Sequence, residues 1–333
     1  TKVADEVGAA TEHVAASVST RMNGLVGTQS TGKGPRMVSS NDRVIGISAG
    51  DDHAKFGAWV SPFYGQAVQK KRKGAAGYKA KSYGASFGFD TKANDDMIIG
   101  GALTVAQSDL KHKDFKSGDS TKISALMFSI YGMQQITDTW YAQTSATFGS
   151  SSVKNSEGRV TALTTNETVK GKYNATSFAG EVMFGYNHAV EMLTVTPMFG
   201  MRYTRVNTGG YKETGSSTGQ NLNISSKGSN KLDVVVGARL AGGTFVADGM
   251  TITPEVHGFV AYDLIGKNSA QTAKMEGAAA LSQKSQKPVR AVYNLGLGVN
   301  ADYGMMEYGA GYDVTLAEER VGHQGTLRLR VNF

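Results

Sequence analysis

The stretch Gly325–Phe333 (GTLRLRVNF) decides the fold of this chain, because apolar and polar residues alternate along it without a break. Its apolar positions are Leu327, Leu329, Val331 and Phe333. A period of two places them on one face of a β-strand and the polar residues on the other. A strand of a soluble protein can show the same alternation. The aromatic residue at the end of the apolar face, however, is typical of the interfacial girdle of a transmembrane β-barrel.

The composition of the 333 residues excludes several classes of protein. With 35 Lys and Arg against 28 Asp and Glu the net charge is only +7, which does not indicate a nucleic-acid partner. The absence of cysteine excludes disulfides, thiolate chemistry and thiolate metal sites. No apolar run reaches the roughly 18 residues of a membrane helix. The 42 glycines and 5 prolines suit long, curved strands.

The same alternation recurs along the chain from Phe56 onward. We predict strands at about 55–70, 79–92, 96–110, 119–135, 138–153, 171–187, 190–208, 229–246, 250–265, 288–301, 305–318 and 322–333. Short turns alternate with longer loops, which include 154–170, 209–228 and 266–287, and this is how outer-membrane barrels are built. The sequence therefore predicts an all-β protein, a 12-stranded antiparallel transmembrane β-barrel. The fourth predicted strand is apolar on both sides over Ile123–Tyr131, so its faces stay unassigned.

Residues 1–26 have a different pattern from the strands that follow. Apolar residues recur there at helical spacing, with Ala and Ser between them. A helix of this length is roughly 36 Å long, near the height of a bilayer with its interfaces. Residues 27–54 are rich in Gly and Ser and form a link. We predict an N-terminal α-helix that plugs the pore of the barrel.

Two short motifs resemble catalytic sites, and the pattern around each favours a simpler interpretation. Gly27–Lys33 is close to a P-loop, but Gly34 stands where magnesium needs Ser or Thr, and no strand is predicted before it. Gly84–Gly88 matches a hydrolase nucleophile elbow, yet strand alternation continues through it. The six histidines have no ligand spacing. No metal and no cofactor are predicted.

Charged residues at the polar positions of the alternating predicted strands are candidates for the pore lining. They are Glu181, Arg202, Asp233, Arg239, Glu255 and His257, with Arg290, Glu307 and Asp313. In a water-filled lumen such groups need no special partner; alternatively, they hold a guest in the pore. A barrel of twelve strands is wider than one of eight strands, whose interior is filled by side chains, and narrower than one of sixteen strands, which leaves an open channel. Its interior has room for one helix. The glycines expected to clear a track for this helix are Gly296, Gly298, Gly309 and Gly311.

A helix, a link and twelve strands ending in Phe333 resemble the autotransporter β-domain, the translocator of type V secretion. The run Ala58-Trp59-Val60 and the terminal Leu329–Phe333 carry the resemblance at its two ends. The details look most like the rickettsial outer membrane protein B and surface cell antigen translocators. The resemblance implies that residues 1–54 are the pore-spanning helix and linker of a passenger, and that residues 55–333 are the translocator barrel.

The resemblance also implies a location and partners. It places the barrel in the outer membrane of a Gram-negative bacterium, with loops at the cell surface, in contact with outer-membrane lipids and its own passenger. The barrel assembly machinery and periplasmic chaperones would insert it, with Leu329, Val331 and Phe333 as the assembly signal. The protein is expected to be a monomer and to bind no nucleic acid. A general diffusion porin or a stand-alone adhesin barrel is the alternative.

Some members of this family sever the passenger by cyclisation of an asparagine near the pore. No turnover enzyme is implied, because each chain would react once. The candidates here are Asn41, which precedes Asp42, and Asn23. By the same resemblance, Glu255 and Arg239 are the lumen groups expected to assist the reaction.

Overall fold

The computed structural model describes residues 7, 8, 11, 56–72, 74–160, 166–267, 270–275, 279–284 and 288–333. The boundary predicted between residues 54 and 55 lies outside these ranges. No helix within them is long and apolar enough to cross a membrane. Their twelve long strands are β1 (Phe56–Gln69), β2 (Tyr78–Asn94), β3 (Met97–His112), β4 (Ser120–Gln135), β5 (Trp140–Val160), β6 (Asn166–Tyr186), β7 (Leu193–Thr208), β8 (Lys227–Gly242), β9 (Met250–Asp263), β10 (Ala291–Tyr303), β11 (Met306–Ala317) and β12 (Arg320–Asn332).

The twelve strands form one closed antiparallel sheet, which confirms the predicted barrel. β1 pairs with β2 on one edge and with β12 on the other, from Gly57 opposite Asn332 to Gln69 opposite Arg320. Beyond this ladder, the backbones of Phe56 and Phe333 exchange two hydrogen bonds of 3.1 and 3.0 Å. Closure matters because an unpaired backbone group costs several kcal/mol in lipid, and a closed sheet has no free edge.

The outward face of the barrel carries a band of exposed apolar side chains. Phe87, Leu103, Phe128, Phe148 and Phe178 lie directly opposite one another on β2 to β6. The first four are each about half exposed. A continuous band of exposed aromatic and aliphatic groups is the lipid-facing surface of a membrane barrel. The residues between them along each strand face the lumen.

Cross-strand register also assigns the two faces of β4, which the sequence left open. Phe128 and Ile130 are about half exposed and lie in the outward band. Met127, Ser129 and Tyr131 are buried and face the lumen. Both faces are apolar because the lumen side packs against other lumen side chains, while the outward side meets lipid.

The two rims of the barrel differ in their connections. At the short-turn rim, where β1 begins and β12 ends, turns such as Asp95–Asp96 and Gly304–Met305 join the strands. At the opposite, long-loop rim, two connections pair with each other. They form a small four-stranded sheet from Tyr211–Lys212, Leu222–Ile224, Ala270–Met275 and Leu281–Lys284. The long loops of outer-membrane barrels face the outside of the cell.

The expected loop over residues 154–170 is wrong. β5 continues to Val160, β6 begins at Asn166, and the two strands stay paired along this whole length. Both faces of this hairpin are mostly polar, with Val160 and Val169 as the exceptions, because it extends beyond the apolar band. Its sequence therefore lacks the alternation that marks a membrane-spanning strand.

Candidate functional site in the lumen

The inward face of the barrel wall carries most of the charged residues selected as pore-lining candidates. Eight of the nine lie on the side of the sheet opposite the apolar band: Glu181 on β6, Arg202 on β7, Asp233 and Arg239 on β8, Glu255 and His257 on β9, and Glu307 and Asp313 on β11. The ninth, Arg290, precedes β10, is exposed and lies over the ring of the outward Tyr262. Cross-strand register brings acidic and basic members next to each other. The structure therefore places the eight inward residues on the wall, while their role toward a guest stays a prediction.

The charges on β6 to β8 are compensated within the wall. Arg202 Nε donates a hydrogen bond to Glu181 Oε2 at 2.6 Å. Lys231 Nζ lies 2.9 Å from Asp233 Oδ2. The side chains of Glu181 and Asp233 are almost fully buried. A buried carboxylate is tolerated when a cation and hydrogen bonds replace the water it has lost.

A second polar cluster lies on β8 to β11. Arg239 Nε donates to Glu255 Oε2 at 3.2 Å, and Asn300 Nδ2 donates to the same oxygen at 3.1 Å. His257 Nε2 lies 2.9 Å from Asp313 Oδ1. Within the described ranges, no group of three or more His, Cys, Asp or Glu side chains could hold a metal ion.

The residues predicted to take part in cleavage are only partly described. Glu255 and Arg239, the two expected helpers, form an ion pair in the lumen. Asn41, Asp42 and the alternative Asn23 lie outside the described residues. The structure thus brings the helpers together, and their relation to Asn41 stays a prediction.

The four glycines expected to form a track lie on the inward face of β10 and β11. A Cβ would lie 2.3 Å from His257 Nε2 at Gly296, 3.2 Å from Glu255 Cγ at Gly298, and 3.0 Å from Arg328 Nη2 at Gly309; at Gly311 the nearest atom is 3.9 Å away. Three of these glycines therefore make room for neighbouring wall side chains. Their role as a track for the helix stays a prediction.

A buried network that the sequence did not indicate lies at the closing seam. Arg330 on β12 donates to Glu307 Oε1 on β11 and to Asp90 Oδ1 on β2, both at 2.6 Å. Tyr131 on β4 donates to Asp90 Oδ2 at 3.1 Å and accepts a hydrogen bond from Trp59 Nε1 at 2.8 Å. We call these five residues the seam network. It connects strands from both ends of the chain across β1.

Glycines provide the space that the seam network needs. A Cβ at Gly57 would lie 2.2 Å from Arg330 Nη2, and a Cβ at Gly88 would lie 2.2 Å from Trp59 Cε2. The alternation in the sequence already places Asp90 and Arg330 on the inward face. The alternation does not reveal the strand register that brings these two residues together.

Three residues of the predicted N-terminal helix are described, and two of them, Val7 and Thr11, contact the lumen wall. Val7, Gly8 and Thr11 have helical backbone, and Val7 and Thr11 are fully buried. Thr11 Oγ1 donates to the carbonyl oxygen of Val7 at 2.7 Å and lies 2.9 Å from Ser177 Oγ on β6. Val7 packs in a cluster near the long-loop rim with Tyr78, Ala80, Leu110, Ile123, Val153, Ala175 and Val206.

An ion-pair network at the long-loop rim fixes the connection over 209–226 to the β5–β6 hairpin. Arg159 Nη2 lies 2.8 Å from Glu213 Oε1, and Arg159 Nη1 lies 3.0 Å from Glu157 Oε2. Lys116 Nζ contacts Glu157 at 2.9 Å. Burial acts to raise the pKa of Glu157, but its ion pairs with Lys116 and Arg159 outweigh burial and hold the pKa below the usual value. Glu157 is therefore ionised at neutral pH, and the network is intact.

The closed sheet, the outward apolar band and the charged lumen define a transmembrane β-barrel of the outer-membrane type. Residues 58–313 match the family of autotransporter beta-domains. The chain belongs to this family. It is an outer-membrane protein of a Gram-negative bacterium.

Relatives with similar sequence come from rickettsiae. Outer membrane protein B of Rickettsia typhi is 39% identical over 303 residues, which cover 89% of this chain and 18% of that protein. Outer membrane protein A of Rickettsia conorii is 35% identical over 344 residues, which cover 100% of this chain and 16% of that protein. The chain spans less than a fifth of the length of these relatives.

Two solved structures have the same fold. The translocator domain of autotransporter NalP from Neisseria meningitidis has a TM-score of 0.65 and 17% identity, with 85% of this chain and 90% of that chain covered. The beta domain of the Bordetella autotransporter BrkA has a TM-score of 0.62 and 16% identity, with 84% and 100% covered. At this identity the likeness concerns the fold alone.

Proposed function

We propose that the barrel exports a passenger joined to its N-terminal end, anchors it at the cell surface, and afterwards keeps residues 1–26 in the lumen. The observation that carries the proposal is the burial of Val7 and Thr11 against the inward wall. Val7 packs near the long-loop rim, whereas β1 begins with Phe56 at the short-turn rim. The chain between them has to pass from one rim to the other, and this supports a route through the lumen.

The direction of this route is that of export. The long-loop rim of an outer-membrane barrel faces the outside of the cell. Val7 lies near that rim and Thr11 packs further along the wall, at Ser177. A passenger that precedes Thr1 is therefore directed away from the periplasm. The passenger is the partner that this site would hold.

We infer that the barrel assembly machinery and periplasmic chaperones recognise the closing strand. Leu329 and Phe333 are exposed on the outward face, and the ring of Phe333 lies 6.4 Å from that of Phe56. An apolar, aromatic strand end of this kind is accessible before β12 closes on β1. Leu329, Val331 and Phe333 are thus our candidates for the assembly signal.

An epitope joined before Thr1 is expected to be removed by protease added to intact cells, because export places it at the cell surface. Immunoblotting measures the fraction lost. The matched control carries the same epitope in the short turn at Met305, which should be protected until the outer membrane is permeabilised. Protection of the N-terminal epitope in cells with a folded barrel would contradict export.

We further propose that the passenger is severed between residues 23 and 43, at the bond after Asn41. The side-chain amide nitrogen of Asn41 gives up a proton and attacks the backbone carbonyl carbon of the same residue, which forms a tetrahedral intermediate. Collapse of this intermediate breaks the peptide bond, leaves Asn41 as a C-terminal succinimide and releases the amine of Asp42, which takes up a proton. The carboxylate of Glu255, which Arg239 holds in place, can take up the proton from the amide and return it to the leaving amine. Residues 1–41 would then stay bound only through contacts such as those of Val7 and Thr11.

Mass spectrometry of the mature barrel is expected to find Asp42 as its first residue, with the fragment that ends at Asn41 co-purifying in mild detergent. The variant Asn41→Ala should stay uncut, because it lacks the attacking amide. The control Asn23→Ala should be processed normally. A first residue outside 23–43, or normal processing of Asn41→Ala, would count against the proposal.

A further inference from the structure

Lysines accumulate on the outward face of the barrel, between the apolar band and the long-loop rim. One cross-strand row on β2 to β6 consists of Lys81, Asp109, Lys122, Lys154 and Lys172. The next row toward the rim contains Lys79, Lys111 and Lys170. We call these eight residues the lysine rows. All seven lysines are exposed.

The lysine rows face the surroundings of the barrel and not its lumen. On β2, Lys79 and Lys81 have the same parity as Phe87, which is 53% exposed in the apolar band. Ala80, between the two lysines, is buried on the lumen side. Because register aligns the rows from β2 to β6, the other lysines share this outward face.

The rows place like charges directly opposite one another. Lys122 is opposite Lys154, Lys154 is opposite Lys172, and Lys79 is opposite Lys111. The Cβ atoms of such neighbours are about 4.5–5.5 Å apart, and like charges at this distance destabilise a sheet. Among the described residues, no carboxylate forms an ion pair with these five lysines. Anions from outside the chain would remove the repulsion.

The distance between the first row and the apolar band increases from β2 to β5. Lys81 is two residues from the outward Tyr83, Lys122 is four residues from Leu126, and Lys154 is six residues from Phe148. With about 3.3 Å per residue and a strand tilt of about 40°, these separations correspond to roughly 5, 10 and 15 Å along the membrane normal. The headgroup layer of an ordinary bilayer is only about 5–8 Å thick on each side. The occupant therefore needs a taller anionic headgroup.

We propose that the lysine rows bind the phosphorylated saccharide headgroup of an outer-leaflet glycolipid of the lipopolysaccharide class. Ammonium groups hold phosphates as point charges, with charge-assisted hydrogen bonds. Basic residues near an anionic membrane surface each add to the binding of its lipids. A lipid bound to the folded barrel also stabilises it by mass action. This site is independent of the passenger and of the route through the lumen.

The test titrates the full chain, refolded in neutral detergent, with rough lipopolysaccharide, with the same glycolipid after removal of its phosphates, and with inorganic phosphate. We expect only the phosphorylated glycolipid to raise the thermal midpoint. The variant K122Q/K154Q/K172Q should bind it at least about tenfold more weakly. Without lipid, this variant should be at least as stable as the native chain, because the repulsion is gone. The control K92Q/K212Q/K274Q removes the same charge from exposed positions outside the rows and should bind like the native chain.

Three outcomes would overturn the inference. Equal affinity of the native chain and of K122Q/K154Q/K172Q would show that the rows do not hold the lipid. An equal response to inorganic phosphate would mean a general anion site. A row variant that is less stable than the native chain in the absence of lipid would contradict the repulsion on which the site is argued.

Discussion

Deletion of residues 1–26 is expected to raise the single-channel conductance of the barrel several-fold in planar bilayers. A 12-stranded barrel encloses enough space for one helix, and without a guest that space holds water and lets solutes pass. Val7 and Thr11 supply the contacts that the deletion removes from the wall. The thermal midpoint should fall only modestly, because most of the stability of a barrel lies in its closed backbone ladder.

A point variant can open the lumen without shortening the chain. A Cβ at Gly8 would lie 3.6 Å from Val206 Cγ2, so a tryptophan there is too large for the gap and should displace the helix. Gly8→Trp is expected to give part of the conductance of the deletion. Ser117→Trp, on an exposed connection at the long-loop rim, is the matched control and should conduct like the native chain. If the truncated and full-length barrels conduct alike, residues 1–26 do not close the pore.

Replacement of Arg330 by methionine is expected to lower the unfolding temperature of the barrel by on the order of 10 °C. Arg330 is the cation between Asp90 and Glu307, whose carboxylates it contacts at 2.6 Å. The side chain of Asp90 is 1% exposed. Removal of one partner from a buried ion pair costs about 3–5 kcal/mol, because the remaining charge stays buried without compensation. Gel migration before and after stepwise heating measures the change.

Two further variants separate the charge effect from lost packing. The triple variant Arg330→Met with Asp90→Asn and Glu307→Gln leaves no buried charge, so it should recover much of the lost stability. Arg328→Met removes an inward arginine two residues earlier on β12, where Asn300 is a neutral partner, and its effect should be small. An unfolding temperature as low in the triple variant as in Arg330→Met would contradict this explanation of the seam network.

The alternation of residues was sufficient to predict the barrel and the inward face of its charged residues. A period of two is a local property, so Gly325–Phe333 specifies both faces of β12 without knowledge of its neighbours. The same reasoning predicted the inward positions of Glu181 and Arg239, where the structure places them. It failed on β4 and on the β5–β6 hairpin, because there both faces are apolar or both are mostly polar and no alternation remains.

The tertiary structure alone decided which residues of different strands are neighbours. Arg330 reaches Asp90 only because β12 closes on β1, which joins segments 240 residues apart in the chain. Lys122, Lys154 and Lys172 form a row only because three strands pair in one particular register. Register and closure are set jointly by the turns, the packing and the pairing of all the strands, so no single strand contains this information. The sequence by itself therefore determined the architecture and the facing of the strands, and the fold determined the seam network and the lysine rows.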